Sequence, residues 1–394
     1  MAGCLAGLKV VDLTRMLAGP YITLLLGDLG ADIIKIENTD KGDDTRLFTP
    51  LVNGFSAYFA SVNRNKRSLT LNLKKDAGKK ILFELLKDAD VLVENFRPGV
   101  MKKLGLEYSV IKEINPSIIY ASCSGFGQTG PWREKPAYDT VVQGLGGVMS
   151  ITGTSKDSPV RVGTSIGDIS AGMYTAIGIL AALYERNISG EGQAIDVSML
   201  DGQIAILENA IARYYATGKT PEPIGNKHPS TAPFDTFKAK DGHVIIAVAN
   251  ERNWQALCKL IGREDLISDS KFCSNPMRVK NSTELKEIID SITSEKTIDE
   301  WVQILGEKLP CSPINTIERA VNNEQVISRD MIVETNVPTV GTFKIVGTPI
   351  KFSKNPGGVR FPAPLHGQHT TEILEALGYS EDQLKELKEQ GVIS

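Results

Sequence analysis

A chain of 394 residues with 41% hydrophobic and 23% charged residues has the composition of a soluble globular protein, long enough to build more than one core. Its formal net charge of −3, with basic residues dispersed, argues against a nucleic-acid partner, and no apolar run approaches the ~20 residues of a membrane span. The stretch from Met1 to Lys9 lacks the charged and apolar regions of a signal peptide. Five scattered cysteines (Cys4, Cys123, Cys258, Cys273, Cys311) form no C-x-x-C pair, so a cytoplasmic protein with reduced thiols is expected.

The first hundred residues alternate between strand and helix patterns. Residues 8–13 and 33–36 read as buried strands. The helix expected at 21–29 follows Pro20, whose missing amide is harmless in a first turn. Residues 68–73, 91–93 and 118–122 read as further strands, and 78–87 as an amphipathic helix. This order predicts an α/β, Rossmann-like large domain with a parallel sheet covered by helices on both faces. Helices are expected at 168–186 and 199–217, flanking a strand at 194–197. Residues 217–233, rich in Pro, Gly and Thr, mark a boundary. A smaller α+β unit follows, with a hairpin closed at Asp241-Gly242 and helices near 254–260, 282–294 and 298–305. Short strands are expected again at 342–346 and 350–352, then two short helices.

Asp168 stands where a glycine-containing loop turns into the long apolar helix. It is placed to act as an N-cap, the helix end would hold its carboxylate ionised, and Gly163 and Gly167 leave room for a bulky ligand. Taken alone, it reads first as an ordinary cap. The turn Thr14 to Pro20 offers a helix N-terminus to an anion, but no G-x-G-x-x-G fingerprint supports a dinucleotide. Glu37 closes the second strand, where a ribose-binding acid often sits. The basic run Asn63 to Ser68 reads as a phosphate site or a solvated loop. Gly163-Thr164-Ser165-Ile166-Gly167 matches the G-x-S-x-G pattern of a hydrolase elbow, with His228, His243, His366 or His369 as partner, although no HGGG-type loop precedes it. His366 and His369 lack a carboxylate cluster that would complete a metal site.

Several segments in order along the chain resemble the class III CoA-transferases, the formyl-CoA:oxalate and L-carnitine CoA-transferase type. They include Leu8-Lys9-Val10-Val11-Asp12-Leu13-Thr14 with Ala18-Gly19-Pro20, Val93-Glu94-Asn95-Phe96-Arg97-Pro98-Gly99 and Gly125-Phe126-Gly127-Gln128-Thr129-Gly130-Pro131. Ala137-Tyr138-Asp139, Gly167-Asp168, Asp196-Val197-Ser198-Met199 and Gly367-Gln368-His369-Thr370 continue the series. The resemblance implies that Asp168 is the nucleophile, passing through an acyl-aspartyl anhydride and an aspartyl-CoA thioester, with no metal or permanently bound cofactor. It assigns the acyl-CoA substrate to Leu17, Ala18, Leu71, Asn72, Leu73, Lys74, Asn95, Phe96, Arg97, Lys103, Ala137, Tyr138 and Asp139.

It further implies a large CoA-binding domain begun by residues 1–220, a small domain at 225–330, and a segment 335–394 returning to the large domain. An interlocked homodimer is also implied. The chain departs from the formyl-CoA enzyme at Asn38, where that enzyme has an arginine, and at Pro136, which replaces a basic contact. It departs again at Gly225 to Ser230, which replaces a glycine-rich substrate loop. Lys227, His228 and Ser230 are then expected to recognise an acceptor carboxylate, and succinyl-CoA or another dicarboxylic or hydroxylated acyl-CoA is the expected donor. α-Methylacyl-CoA racemases share the resemblance, but their acid/base histidine is replaced by Tyr138, whose ordinary pKa near ~10 makes a poor base.

Overall fold

Six parallel strands order the larger of two units in the computed structural model, which describes residues 3–394. That unit comprises residues up to Met149, Arg161–Lys219 and Glu324–Ser394; the smaller comprises Ser150–Val160 and Thr220–Asn323.

The larger unit runs β1 (Lys9–Asp12), α1 (Ala18–Asp28), β2 (Asp32–Glu37), β3 (Lys66–Thr70), α2 (Asp76–Lys87), β4 (Val91–Glu94) and β5 (Ile119–Ser124). After these come α3 (Asp139–Leu145), α4 (Ile166–Ser189) and β6 (Ala194–Ser198). The sheet order is β3-β2-β1-β4-β5-β6, parallel throughout. Both faces are covered, which is why its strands read as unbroken apolar runs. Val11 and Leu92 pack with α2 and with Ile373 and Leu374 near the C-terminus; Val10, Val91 and Val93 face α1 and α4. The direction of strand order reverses between β1 and β4, so the loops leaving their C-terminal ends part there and open a crevice.

The C-terminal segment is tied to the β3 edge by specific bonds. His369 N–H donates to Ser68 O at 3.0 Å, Ser68 N–H returns to His369 Nδ1 at 3.1 Å, and Ser394 N–H reaches Thr70 Oγ1 at 3.1 Å.

Four expectations need correction. The long helix begins at Ile166 with Ser165 as its N-cap, so Asp168 lies inside the first turn and is not the cap. The helix expected over 199–217 is broken into Met199–Ala205 and Glu208–Thr217; Leu207 at the break turns into the core, whereas the second helix buries no residue. Residues 350–352 form no strand. Gly341–Val346 pairs instead with Ile332–Val337, and this ladder buries Val337, Phe343 and Ile345 against Phe55 and Phe59. Finally, α4 has 24 residues and is long and apolar enough to cross a membrane, with half of its most apolar window buried. Ala171, Ile179 and Leu183 pack against the sheet, as in a core helix, whereas Met173, Ile177, Tyr184 and Ile188 are exposed.

The smaller unit has an antiparallel sheet of β7 (Phe234–Ala239), β8 (Gly242–Ala247) and β9 (Cys311–Pro313), with α5 (Glu251–Leu260), α6 (Ser282–Thr293) and α7 (Ile298–Leu305). Phe237, Ile246, Trp254, Leu257, Ile289 and Trp301 form its core. Asp241, in the hairpin turn, accepts the Ile298 N–H at 2.8 Å and so anchors the start of α7.

Candidate active site

The loop between β1 and α1 has its backbone held at almost every residue. Asp12, fully buried, accepts from the Thr14 amide at 2.8 Å, from the Thr14 hydroxyl, and from Thr23 Oγ1 at 2.6 Å. Burial alone would raise the Asp12 pKa, but Lys66 and Lys35 hold it below the usual range. Lys35 donates to Thr14 O at 2.7 Å and pairs with Asp43 at 3.0 Å. Asp43 accepts the Met16 N–H at 3.2 Å, and Asn95 takes both polar groups of the Arg15 backbone. Met16 is thereby kept at φ 70, a left-handed conformation that a β-carbon disfavours.

This held loop delivers the N-terminus of α1, where amide hydrogens have no partner within the helix. The Ala18 amide favours the ionised form of the Asp168 carboxylate, which arrives from the first turn of α4. Gly172, one turn later, allows the two helices to meet. A β-carbon there would stand 3.0 Å from Tyr21 Cδ1 and 3.1 Å from Ala18 O.

Asp139, at the start of α3, braces the loop before Asp168. Its Oδ1 accepts the Gly167 N–H at 2.8 Å and its Oδ2 accepts Gln143 Nε2 at 2.7 Å. Gln143 Oε1 in turn accepts the Val162 N–H at 2.9 Å. Gly167 has no space for a side chain, since a β-carbon would lie 2.7 Å from Val142 Cγ2. Burial, and then the negative charge of Asp139, push the Asp168 carboxyl up to about 7 against the pull of the Ala18 amide. The expectation that the helix end would hold Asp168 ionised is therefore corrected: burial and a like charge outweigh the dipole.

Tyr58, on the short helix Ala57–Val62, also faces this site. Burial and the charges of Asp168, Asp43 and Asp139 push its phenol up to about 12, so it keeps its proton as a donor. Sequence reasoning missed Tyr58 and Gln143, because nothing in their local spacing marks them.

A cavity of about 610 Å³ opens beside the loop ends of β1 and β4. Leu71, Asn72, Leu73, Lys74 and Phe96 line it, together with Leu104. Its size lies within the range of small-molecule sites. The other positions implied by resemblance are elsewhere. Leu17 is the N-cap residue of α1. Arg97 lines a second cavity of about 500 Å³ with Glu94, whose carboxyl burial lifts to about 7. Lys103 is exposed and lines neither cavity. Ala137 packs against Gly125, and Tyr138 is exposed. In the smaller unit His228 Nδ1 accepts the Ser230 N–H at 3.2 Å and its ring stacks on Phe234, while Lys227 is half-buried.

Several motif readings end here. Glu37 is bound by Arg46 at 2.6 and 2.7 Å, by Ser68 Oγ at 2.6 Å and by the Asp43 amide at 2.9 Å, leaving little capacity for a ribose. Asn38 caps its own loop, accepting from the amides of Asp40, Lys41 and Gly42. Within the basic run, Arg64 is buried on Asp28, Lys66 on Asp12, and Arg67 pairs with Asp32, so these cations are structural. Ser165 has no strand before it and, among the described residues, no histidine hydrogen-bonded to it. The hydrolase elbow is therefore absent.

An aspartate of raised pKa in the first turn of α4, and a cavity at the switch point of a doubly wound sheet, fit acyl transfer. The chain belongs to CoA-transferase family III, whose family model matches residues 5–370, and it is an enzyme of that class. It is 44% identical to the acetyl-CoA:oxalate CoA-transferase of Acetobacter aceti over 88% of each chain. With the succinyl-CoA:glutarate CoA-transferase of Mus musculus it shares 39% identity over 99% of this chain and 90% of that one. A solved CAIB/BAIF family protein from Brucella suis superposes with a TM-score of 0.86 at 37% identity, covering 96% of this chain and all of the other.

Proposed function

We propose that this enzyme moves CoA from a dicarboxylic acyl-CoA, with succinyl-CoA the first donor to test, to a free carboxylic acid, with Asp168 as the nucleophile. The observation that carries this reading is the half-buried Asp168 carboxylate, lifted to about 7 by burial and Asp139 yet directed by the Ala18 amide. A carboxylate of raised pKa is a better nucleophile, and near neutral pH a large fraction of it is still ionised.

The Asp168 oxygen attacks the thioester carbonyl; a C–O bond forms, the C–S bond breaks, and CoA leaves as the thiolate. The thiolate then attacks the aspartyl carbonyl carbon. A C–S bond forms, the anhydride C–O bond breaks, and the donor acid leaves as a carboxylate. The acceptor carboxylate repeats both steps in reverse. The steps balance with no net proton transfer, and the scheme as written calls on no metal or bound cofactor. Tyr58, which feels the Asp168 charge, and the Ala18 amide, which favours the ionised Asp168, are the donor groups we assign to the oxyanions that develop at this carboxyl. The cavity lined by Leu71 to Lys74 and Phe96 suits the nucleotide end of CoA, with exposed Lys74 available to phosphate. The mouse relative, which acts on succinyl-CoA and glutarate by its name, supports a dicarboxylic donor.

Incubation with succinyl-CoA, trapping with hydroxylamine and mass analysis of the peptide containing Asp168 tests the mechanism. A hydroxamate at Asp168 is expected, and transfer without any adduct there would refute it. We further infer a cytoplasmic homodimer. Five free cysteines suit a reducing compartment, and the exposed Met173, Ile177, Tyr184 and Ile188 give α4 an apolar face for a second copy. Light scattering after size exclusion should give twice the chain mass, and a single-chain mass would overturn the dimer.

A further inference from the structure

We infer that the exposed ion pair of Arg15 and Asp44 is a latch on the 610 Å³ cavity, opened when Arg15 exchanges that carboxylate for a phosphate group of the acyl-CoA. The inference rests on the reading of this cavity as the site for the nucleotide end of CoA.

Most polar groups on the cavity wall are already committed. Glu37 is buried and taken by Arg46, and Asp43 is buried against Lys35. Asn38 spends its side chain within its own loop, accepting from the amides of Asp40, Lys41 and Gly42 and donating to Gly42 O at 2.8 Å. Arg15 and Asp44 also line the cavity, and their side chains are 58% and 54% exposed. Arg15 Nη1 stands 3.3 Å from Asp44 Oδ2, and among the described residues no other side chain pairs with this guanidinium. Most of its five donors are therefore unspent. An exposed pair of this kind contributes little, because water screens it and two long side chains must be held in register. A phosphate brings more negative charge and a set of oxygens that matches the guanidinium fork, so the exchange favours the ligand.

The backbone beneath the pair gives it a fixed base. Asp43 Oδ1 accepts the Met16 N–H at 3.2 Å and the Thr45 N–H at 3.0 Å, so one atom pins the residues that follow Arg15 and Asp44. The Arg15 N–H and C=O are themselves bonded to the Asn95 side chain at 2.9 and 2.8 Å. Arg15 can thus leave Asp44 by side-chain rotation alone, with no rearrangement of the loop.

The test titrates the full-length protein in a calorimeter with CoA, with dephospho-CoA, which lacks only the ribose phosphate, and with pantetheine, which lacks every phosphate. The wild type should bind CoA at least about tenfold more tightly than pantetheine. Equal affinity would refute the nucleotide reading of the cavity, and the latch with it, before any variant is made. With that preference present, Arg15→Gln should weaken CoA about 10- to 100-fold and leave pantetheine within about twofold. A parallel loss with dephospho-CoA places Arg15 on the pyrophosphate, and a loss with CoA alone places it on the ribose phosphate; both support the exchange. Unchanged CoA affinity, or an equal loss with pantetheine, would overturn it. Asp44→Asn should tighten CoA about two- to fivefold, and should change little once Arg15→Gln is present, because the competitor then has no cation to hold. The same gain in both backgrounds would mean simple repulsion between Asp44 and phosphate, and no latch. Should Arg15→Gln not fold, Asp44→Asn alone decides: no gain for CoA, or an equal gain for pantetheine, refutes the inference.

Discussion

Asp139 and Asp168 are coupled through one glycine: Asp139 Oδ1 takes the Gly167 N–H at 2.8 Å, and the Asp139 charge adds to burial in lifting Asp168 to about 7. One side chain therefore fixes both the place and the basicity of the carboxylate that we propose attacks the thioester.

Asp139→Asn keeps an oxygen for Gly167 and removes the charge. Asp168 then ionises more readily, so the acid limb of kcat/KM should move to lower pH by on the order of one unit. A rate–pH profile of the two proteins checks this, and an unmoved limb would show that Asp139 does not act on Asp168 electrostatically.

Gly167→Ala places a β-carbon 2.7 Å from Val142 Cγ2 and 3.0 Å from Asp139 Oδ1. The turn must open, with a stability cost of about 1–3 kcal/mol and a loss of turnover of about 100-fold or more. Chemical denaturation and steady-state rates should show both losses together.

Asp168 carries a stability cost whose sign follows from linkage. Its folded pKa, about 7, lies above its ordinary 3.8, so between those values the folded state binds more proton than the unfolded state. Stability therefore falls as pH rises through that window, by about 2–4 kcal/mol in all. Asp168→Asn abolishes this slope. Its melting temperature should gain on that of the wild type from about pH 4 to 7, while transfer activity is lost.

Phe96→Ala removes an aromatic wall of the 610 Å³ cavity. KM for the acyl-CoA should rise about tenfold with kcat little changed, the signature of lost uniform binding. Initial-rate kinetics over a range of acyl-CoA concentrations checks it, and a fall in kcat alone would remove Phe96 from the substrate site.

The alternation of the first hundred residues was enough to read a parallel sheet with covered faces, because Val10, Val11 and Val91 to Val93 form runs that only a doubly covered sheet requires. Asp168 was also legible as a residue of the loop-to-helix junction, but it was misread as the cap, which is Ser165. The local pattern does not distinguish Ser165 from a residue one turn later, and it cannot register the burial that raises the carboxyl. Arg64 and Lys66 read as a phosphate site or a solvated loop, and are neither, for a related reason. Their partners Asp28 and Asp12 lie far back in the chain and meet them only when β1, α1 and β3 assemble. The same holds for Asn95, whose bonds reach a residue 80 positions away.

The twisted backbone at Met16 has an evolutionary and practical corollary. A glycine there would relax a strain of about 1 kcal/mol, yet it would also let the peptide swing through conformations that methionine forbids. An engineer seeking a hardier enzyme by easing this one awkward residue should obtain a tougher protein whose reaction centre wanders. Tolerance to heat and speed of turnover are opposed at a single torsion angle.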